Sequence, residues 1–179
     1  MKEKEEQAIV IDFLPYGYPL EKKMMPIAQA IGKKNFTLLE LVPRRGIKFE
    51  TGEEVYIGEG KRDKVYYILG KLSYSKISEA GKKFLEQYAE KQVNENENKF
   101  VEFFNTAQPI NTRLHQLELI PGFGKKHTKA ILDERQKKPF ESFKNLKERI
   151  SNLPDPKTAV VKRIIEELKG EERHYLFIS

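Results

Sequence analysis

The stretch 121–129 combines residue types that could hold a phosphate group. The order Pro121-Gly122-Phe123-Gly124 predicts a tight turn, because glycine adopts backbone conformations that other residues avoid. A helix that begins directly after this turn would present uncapped backbone amides, which carry a partial positive charge. Four basic residues follow and would add mobile cations beside those amides: Lys125, Lys126, His127 and Lys129. The stretch therefore predicts a phosphate-binding site.

Apolar residues on both sides predict the helices that would position the turn. They recur at helical spacing from Leu114 to Ile120 before it and from Ala130 to Leu132 after it. The segment resembles the helix-hairpin-helix motif of nucleic-acid-binding proteins, whose pattern of apolar residue, proline, glycine, apolar residue and glycine is met by Ile120–Gly124. The alternative is a connecting turn that only packs two helices.

A degenerate copy of the motif follows after a shift of 33 residues. It aligns Leu117 with Ile150, Ile120 with Leu153, Pro121 with Pro154 and Ile131 with Ile164. Asp155 and Lys157 replace the two glycines. Asp155-Pro156 predicts an N-cap followed by proline at the first helical position, so this helix would satisfy its own amides. We therefore expect the second hairpin to pack rather than bind phosphate, and residues 109–170 to form a five-helix tandem helix-hairpin-helix domain.

Short apolar runs separated by glycines predict a small OB-like or SH3-like β-barrel in residues 1–74. The predicted strands are Ala8–Leu14, Phe36–Val42, Ile47–Phe49, Glu54–Ile57 and Val65–Leu69, whereas residues 20–35 predict a loop that could contain one short helix. Arg44 and Arg45 lie in a predicted loop of the barrel with Lys48 beside them, and tyrosines lie among these cations. Rings beside cations suit single-stranded nucleic acid. The competing interpretation is an ordinary barrel core, in which adjacent Tyr66 and Tyr67 face opposite sides of their strand.

Residues 75–108 predict a helical connector between the two domains. An apolar stripe from Ile77 to Tyr88 indicates one helix, with Ser75 or Ser78 as its N-cap, and the cluster Phe100–Phe104 indicates a second. Residues 174–179 are β-prone, and residues 171–179 are predicted to form a C-terminal strand or tail that docks on the barrel. The predicted fold class is α+β, with an N-terminal barrel followed by an all-α domain.

Composition narrows the classes of function. The chain has no cysteine, which excludes disulfides and thiolate metal sites, and no apolar run long enough to cross a membrane. We therefore expect a cytoplasmic protein with no membrane partner.

Residues 105–170 hold 14 Lys and Arg against 8 Asp and Glu, while the rest of the chain holds 19 of each, so the basic surplus lies with the hairpin. That distribution indicates a polyanionic partner. An enzyme is not expected, because the aspartates have no recognisable catalytic spacing.

The chain as a whole resembles an uncharacterised archaeal protein family that joins an OB-like N-terminal barrel to a helix-hairpin-helix domain. The segments that carry this resemblance are 52–60, 98–127 and 138–150. The resemblance implies nucleic-acid binding, with RNA preferred to DNA, and a link to translation or ribosome biogenesis with ribosomal or translation-related partners. It also implies phosphate contacts from the amides near Gly122 and Gly124, and it allows a Na⁺ or K⁺ ion on the carbonyls of Glu118, Ile120 and Phe123. No other cofactor is expected.

Two alternatives remain open from the sequence. The helix-hairpin-helix domain could be a protein-interaction module that uses its helices only for packing. The chain could also be a DNA-binding accessory factor in repair or processing.

Overall fold

The computed structural model describes residues 3–178. The protein is α+β, with a five-stranded antiparallel sheet curled into a half-barrel and five α-helices. The chain forms two compact units, which we call the sheet unit (residues 1–85 and 167–179) and the helical unit (residues 86–166). Within the described range, no helix is both long and apolar enough to cross a membrane.

The sheet has the strand order β4-β1-β2-β3-β5. Its strands are β1 (Gln7–Leu14), β2 (Ile27–Gly32), β3 (Leu38–Pro43), β4 (Glu54–Tyr56) and β5 (Val65–Lys71). Four of these agree with the predicted strands. The prediction of a loop or short helix in residues 20–35 was wrong, because β2 is a central strand that is buried along its whole length. Its sequence, IAQAIG, has neither the polar alternation nor the β-branched enrichment of a typical strand, so tertiary packing determines its conformation.

The predicted strand Ile47–Phe49 was also wrong. The amide of Ile47 donates to the carbonyl of Arg44 (3.0 Å) and closes a tight turn, and Phe49 packs into the apolar core of the half-barrel. Mostly small and β-branched residues from all five strands form this core, together with two residues outside the strands: Ala8, Val10, Ala28, Ala30, Leu41, Phe49, Val55, Ile57 and Val65. The sheet is therefore held by ordinary apolar packing.

An irregularity in β5 changes which residues share a face of the sheet. Val42 pairs with Tyr67 and Pro43 pairs with Val65, so Tyr66 is an extra residue with no partner on β3. Such a bulge breaks the alternation of side chains along a strand. The rings of Tyr66 and Tyr67 accordingly lie 5.3 Å apart, centroid to centroid, on the same side of the strand. The prediction that these two rings face opposite sides was wrong.

The α-helices are α1 (Glu79–Glu95), α2 (Glu97–Thr106), α3 (Lys125–Lys137), α4 (Phe143–Arg149) and α5 (Pro156–Leu168). Two 3₁₀ turns span Tyr74–Lys76 and Gln116–Leu119. The Ser78 hydroxyl accepts a hydrogen bond from the amide of Gly81 (3.0 Å), which confirms Ser78 as the N-cap of α1. Ser142 caps α4 in the same way, through the amide of Asn145 (2.9 Å).

The helical unit has a core of aromatic and branched aliphatic side chains. Phe104 is fully buried, and its ring contacts those of Phe123 and Phe143, with centroid separations of 5.9 and 6.5 Å. Leu117, Ile131 and Ile164 complete this core from the segments on either side of the two hairpins. The apolar positions that the internal repeat aligns are therefore packing positions.

A buried carboxylate in α5 holds the C-terminal segment. Glu167, near the end of α5, is 1% exposed, and its carboxylate accepts hydrogen bonds from the amides of Leu176, Phe177 and Ile178 at 2.9 to 3.1 Å. Charged hydrogen bonds of this kind offset the cost of burying a carboxylate. Residues 171–178 form no strand, so the C-terminal segment is a tail held by these bonds.

Candidate functional site

The first hairpin is built around Gly122. The amide of Phe123 donates to the carbonyl of Ile120 (3.0 Å), and Gly122 has a φ of +85°, as the third residue of a type II turn requires. A Cβ at Gly122 would lie 3.2 Å from Cγ of Pro154, in the turn of the second hairpin. Gly122 is therefore fixed both by the backbone conformation and by close packing of the two turns.

The segment before this turn is a single 3₁₀ turn, not the helix predicted from Leu114 to Ile120. His115 Nδ1 accepts from the amide of Leu117 (3.1 Å), and the Glu118 carboxylate accepts from the amide of His115 (2.7 Å), so the two side chains cap the turn reciprocally. Pro121 then disfavours a helical conformation at Ile120, whose φ and ψ are −76° and 125°. The proline that defines the motif also ends the helix that the apolar spacing predicted.

Gly124 has a different structural role from Gly122. It is the N-cap residue of α3, with extended backbone angles (φ −106°, ψ −164°), and a Cβ placed there would meet no atom within 4 Å. Any residue could adopt this conformation. What glycine changes is the helix end, because glycine has no side chain to accept from the second and third amides of the helix, those of Lys126 and His127. In the described part of the chain, the first two amides of the helix, those of Lys125 and Lys126, donate to no other group.

The cations beside this helix end divide into two groups. Lys125 Nζ donates to the Glu118 carboxylate (2.9 Å) and to the carbonyl of Arg113 (2.9 Å). The hydrogen bond to the carboxylate lowers the pKa of Glu118. The His127 ring is also engaged, with Nε2 3.2 Å from the carbonyl of Asn152. Two of the four predicted cations, Lys125 and His127, therefore already have partners within the protein. Lys126 and Lys129 are exposed and form no ion pair with a described residue.

The other predicted residues of the hairpin are less accessible. The Phe123 side chain is 4% exposed and packs on Phe104, and Pro121 is half-buried, so a ligand could contact them mainly through the backbone. The carbonyl of Ile120, which the family resemblance assigns to a monovalent cation, also accepts the hydrogen bond that closes the turn. In the described residues, no three His, Asp or Glu side chains come together as metal ligands.

Arg113 is a residue near the hairpin that the sequence did not indicate. Asn111 Oδ1 accepts from the amides of Arg113 and Leu114 at 2.8 and 2.9 Å, which folds the chain back before the 3₁₀ turn. Arg113 is exposed, and its carbonyl contacts Lys125. The Asn111 turn was the available signal, but spacing alone does not place Arg113 beside Lys125.

The second hairpin has its own cap. The Asp155 carboxylate accepts from the amide and the hydroxyl of Thr158 at 3.2 and 2.6 Å, which confirms Asp155 as the N-cap of α5. The hydrogen bond from the Thr158 hydroxyl is the main reason that the pKa of Asp155 is lowered, and nearby Lys147 lowers it further. The negative charge and the filled amide position both disfavour phosphate at this turn.

Much of the basic surplus of residues 105–170 is used inside the protein. Arg135 donates to the carbonyls of Phe104 and Ala107, and Arg149 donates to carbonyls that include those of Glu134 and Lys138. Six lysines of this segment form ion pairs: Lys125, Lys137, Lys138, Lys144, Lys147 and Lys157. Net charge therefore overstates the number of cations that are free to bind a polyanion.

The barrel residues predicted to bind nucleic acid belong to the sheet unit. Arg44, Arg45 and Lys48 are all exposed. Arg44 and Arg45 line a groove of about 420 Å³ together with Tyr66, whereas Lys48 does not line it. The structure therefore brings two of these three cations together with an aromatic ring.

Residues 4–179 match a family model described as a protein of unknown function (DUF655). The chain belongs to this family. An uncharacterized protein of Methanocaldococcus jannaschii, MJ0038, is 42% identical over 177 residues, which cover 98% of this chain and 80% of that protein. The crystal structure of Af1531 from Archaeoglobus fulgidus, a member of DUF655, superposes with a TM-score of 0.82 at 43% identity, covering 98% of this chain and all of that one. These matches confirm the predicted membership in an uncharacterised archaeal family.

Proposed function

We propose that this protein binds nucleic acid without sequence preference, gripping the phosphate backbone through the hairpin at residues 119–126. The observation that carries the proposal is the uncapped start of α3. The amides of two exposed residues, Lys125 and Lys126, have no acceptor in the described part of the chain, while the equivalent helix start at Asp155 is capped by a carboxylate.

The chemistry of this helix end suits phosphate. Backbone amides at a helix start carry a partial positive charge and point outward along the helix axis. Lys126 and Lys129 lie one helical turn apart on the exposed surface of α3, and Arg113 lies close to Lys125. Amides and cations that contact phosphate do not read the bases, so the affinity should depend little on base sequence.

The nature of the nucleic acid rests on the family resemblance. That resemblance favours RNA over DNA, partners in translation or ribosome biogenesis, and a sodium or potassium ion on the carbonyls of Glu118, Ile120 and Phe123. In the tandem helix-hairpin-helix interpretation, only the first hairpin grips phosphate, so the protein holds one strand rather than both strands of a duplex. A DNA-binding accessory factor is the alternative if DNA binds more tightly than RNA.

The test is the salt dependence of binding, measured by fluorescence anisotropy with labelled RNA and DNA oligonucleotides. If the hairpin neutralises roughly three to five phosphates, log K should fall against log salt with a slope of about −2 to −4. Lys126→Gln should make that slope less negative by about 1. Lys137→Gln is the matched control on the same helix, because Lys137 is exposed but paired with Glu134, and it should leave the slope nearly unchanged. A slope near zero for both ligands contradicts the proposal.

A protein-interaction module that uses the helix-hairpin-helix domain for packing is the second candidate, and one observation, in the sheet unit, favours a protein partner. Leu20 and Met24, in the loop after β1, are 100% and 77% exposed. Two apolar side chains exposed so close together in sequence would contribute to an apolar patch, and contiguous patches of this kind mark surfaces that bind other proteins. Association with a protein partner that is insensitive to salt, together with absent nucleic-acid binding, would support this function instead.

A further inference from the structure

We infer that the sheet unit has a second ligand site, which holds an unpaired base and the adjacent phosphates of a single-stranded nucleic acid. Its residues are Tyr66 and Tyr67 on β5 and Arg44 and Arg45 after β3, and we call it the tyrosine–arginine site. It is separate from the hairpin and is carried by its own observations.

The bulge in β5 creates the aromatic part of this site. In a regular strand, one of two adjacent tyrosines would face the core, but the unpaired position of Tyr66 leaves both rings outside. Tyr66 is 63% exposed and Tyr67 is 37% exposed, and their rings meet edge to face at an interplanar angle of 70°. Bulges often direct side chains toward a ligand. Here the bulge presents a ring face that a planar base could stack on.

Other tyrosines of the sheet unit show what a structural tyrosine looks like in this fold. Tyr18 donates its hydroxyl hydrogen to the Glu40 carboxylate (2.7 Å), and the Tyr56 hydroxyl accepts from the amide of Gly60 (3.0 Å). The hydroxyl of Tyr67 has only a 3.7 Å contact with the sulfur of Met25. Tyr66 and Tyr67 therefore differ from the tyrosines that brace the fold.

A groove of about 420 Å³ adjoins Tyr66. Pro26, Pro43 and Ile47 supply apolar surface, and Arg44 and Arg45 supply the charged surface. The volume falls within the range of about 300–1,000 Å³ that is typical of small-molecule pockets. An apolar wall, an exposed ring and a pair of guanidinium groups match the three parts of a nucleotide, because a base stacks and a phosphate pairs with a cation.

The two arginines are positioned by a turn. The bond from the amide of Ile47 to the carbonyl of Arg44 closes it, and Gly46 has a φ of +81°. Arg44 Nε donates to the carbonyl of Arg62 (2.7 Å), which orients the guanidinium and leaves its terminal nitrogens for a ligand. Planar guanidinium groups bind phosphate through two hydrogen bonds.

Neither guanidinium pairs with a carboxylate in the described residues, although ion pairs are common in this unit. Lys33, Lys64 and Lys76 are paired with Glu54, Glu53 and Glu21. Two adjacent cations without acidic partners, next to exposed aromatic rings, complement an anion that carries flat apolar groups. A single strand fits this description better than a duplex, because the bases of a duplex are already stacked on each other.

The experiment measures binding of the full chain to a fluorescein-labelled oligouridine of about 12 nucleotides and to an abasic oligomer of the same length. Tyr66→Ala should weaken oligouridine binding roughly 5- to 150-fold, because stacking is lost, and should leave abasic binding unchanged. Tyr66→Phe should bind within about twofold of the parent, because the ring remains. The double variant Arg44→Gln with Arg45→Gln should weaken binding of both probes.

Two matched controls separate this site from general surface effects. Tyr175→Ala removes another exposed tyrosine of the sheet unit, and Lys83→Gln removes an exposed charge on α1, so neither should reproduce these losses. Ultraviolet crosslinking should attach uridine to a peptide that contains Tyr66 or Tyr67.

Several results would overturn the inference. One is that Tyr66→Ala binds oligouridine as tightly as the parent does, or loses as much affinity for the abasic probe as for oligouridine. Another is that the uridine crosslink is confined to other peptides. A third is that a photocrosslinker at position 66 captures protein but no nucleic acid from lysate. The outcome is independent of the hairpin. If Gly124→Asp leaves backbone binding intact, the hairpin is not the phosphate site and that part of the proposed function fails, while a positive result at Tyr66 still stands.

Discussion

The two hairpins of the helical unit have similar apolar frameworks but different helix starts. Two aligned pairs, Leu117 with Ile150 and Ile131 with Ile164, are all 2% exposed or less, so these positions serve packing in both hairpins. The helix after the first turn begins at Gly124 without a side-chain cap, whereas Asp155 caps the helix after the second. The comparison separates residues that build the unit from residues that leave a surface open for a ligand.

The largest expected effect comes from giving the first hairpin the cap of the second. Gly124→Asp should weaken binding of labelled RNA and DNA at least tenfold, because the carboxylate would bond the amides that phosphate needs and would repel the ligand. The same change should raise the free energy of unfolding by a few tenths of a kcal/mol, because aspartate is a better N-cap than glycine. Anisotropy and urea unfolding measure the two effects.

Gly124→Asn is the control for this variant. Asparagine caps the amides without adding charge, so binding should fall less than with aspartate. A Gly124→Asp protein that is folded and binds as tightly as the parent would show that phosphate does not bind at this turn.

The second prediction contrasts the two glycines of the first hairpin. Gly122→Ser should lower the free energy of unfolding by about 1–3 kcal/mol, because a non-glycine residue at positive φ is strained and its Cβ would crowd Pro154. Gly124→Ser should be neutral or slightly stabilising, because its backbone is extended and serine is a good N-cap. Urea unfolding of both variants tests this, and similar losses at the two positions would contradict the assigned roles.

The sequence predicted the elements whose residues determine structure locally. The prolines, glycines and Asp155 of the two turns, the Ser78 cap and four of the five strands all follow from short-range rules. What it could not predict depends on contacts distant in sequence. The strand β2 forms because it pairs with β1 along one edge and with β3 along the other, whereas its own residues carry a weak signal.

The candidate site was predictable in its backbone and less so in its side chains. The spacing located the turn and the exposed helix start, but it could not show that Lys125 pairs with Glu118 or that His127 contacts Asn152. Nor could it reveal the bulge that brings Tyr66 and Tyr67 to one face, because a register shift depends on the pairing with β3. Ion pairs and strand register both require the folded chain.

The third prediction removes the cap of the second hairpin. Asp155→Ala should lower the free energy of unfolding by about 0.5–2 kcal/mol, because the amide and hydroxyl of Thr158 lose their acceptor. Affinity for nucleic acid should be nearly unchanged, because the amides of α3 are not affected. Urea unfolding and anisotropy on the same preparation test both statements. A larger loss of binding from Asp155→Ala than from Gly124→Asp would show that the phosphate site is not at the first turn.

The smallest expected effect is a difference between the two hairpins in how their contribution to the free energy of unfolding depends on pH. Burial lowers the pKa of His115, and the positive charge of Arg135 lowers it further, with partial opposition from Glu118. The unfolded chain therefore takes up this proton first as pH falls below about 6.5, so the free energy of unfolding decreases there and is constant above it. The lowered pKa of Asp155 has the opposite sign: its contribution is present above about pH 3.9 and is lost only at lower pH.

Between pH 7 and pH 5, the His115 contribution should therefore weaken while that of Asp155 stays constant. His115→Asn keeps an oxygen acceptor for the amide of Leu117 but cannot titrate, so its stability relative to the parent should improve as pH falls through this range. Asp155→Asn should show a constant difference from the parent over the same range, because the carboxylate is ionised throughout. Urea unfolding at pH 7, 6 and 5 measures both differences. A His115→Asn curve that runs parallel to the parent would mean that the histidine does not couple the first hairpin to pH, and the two turns would then differ only in their caps.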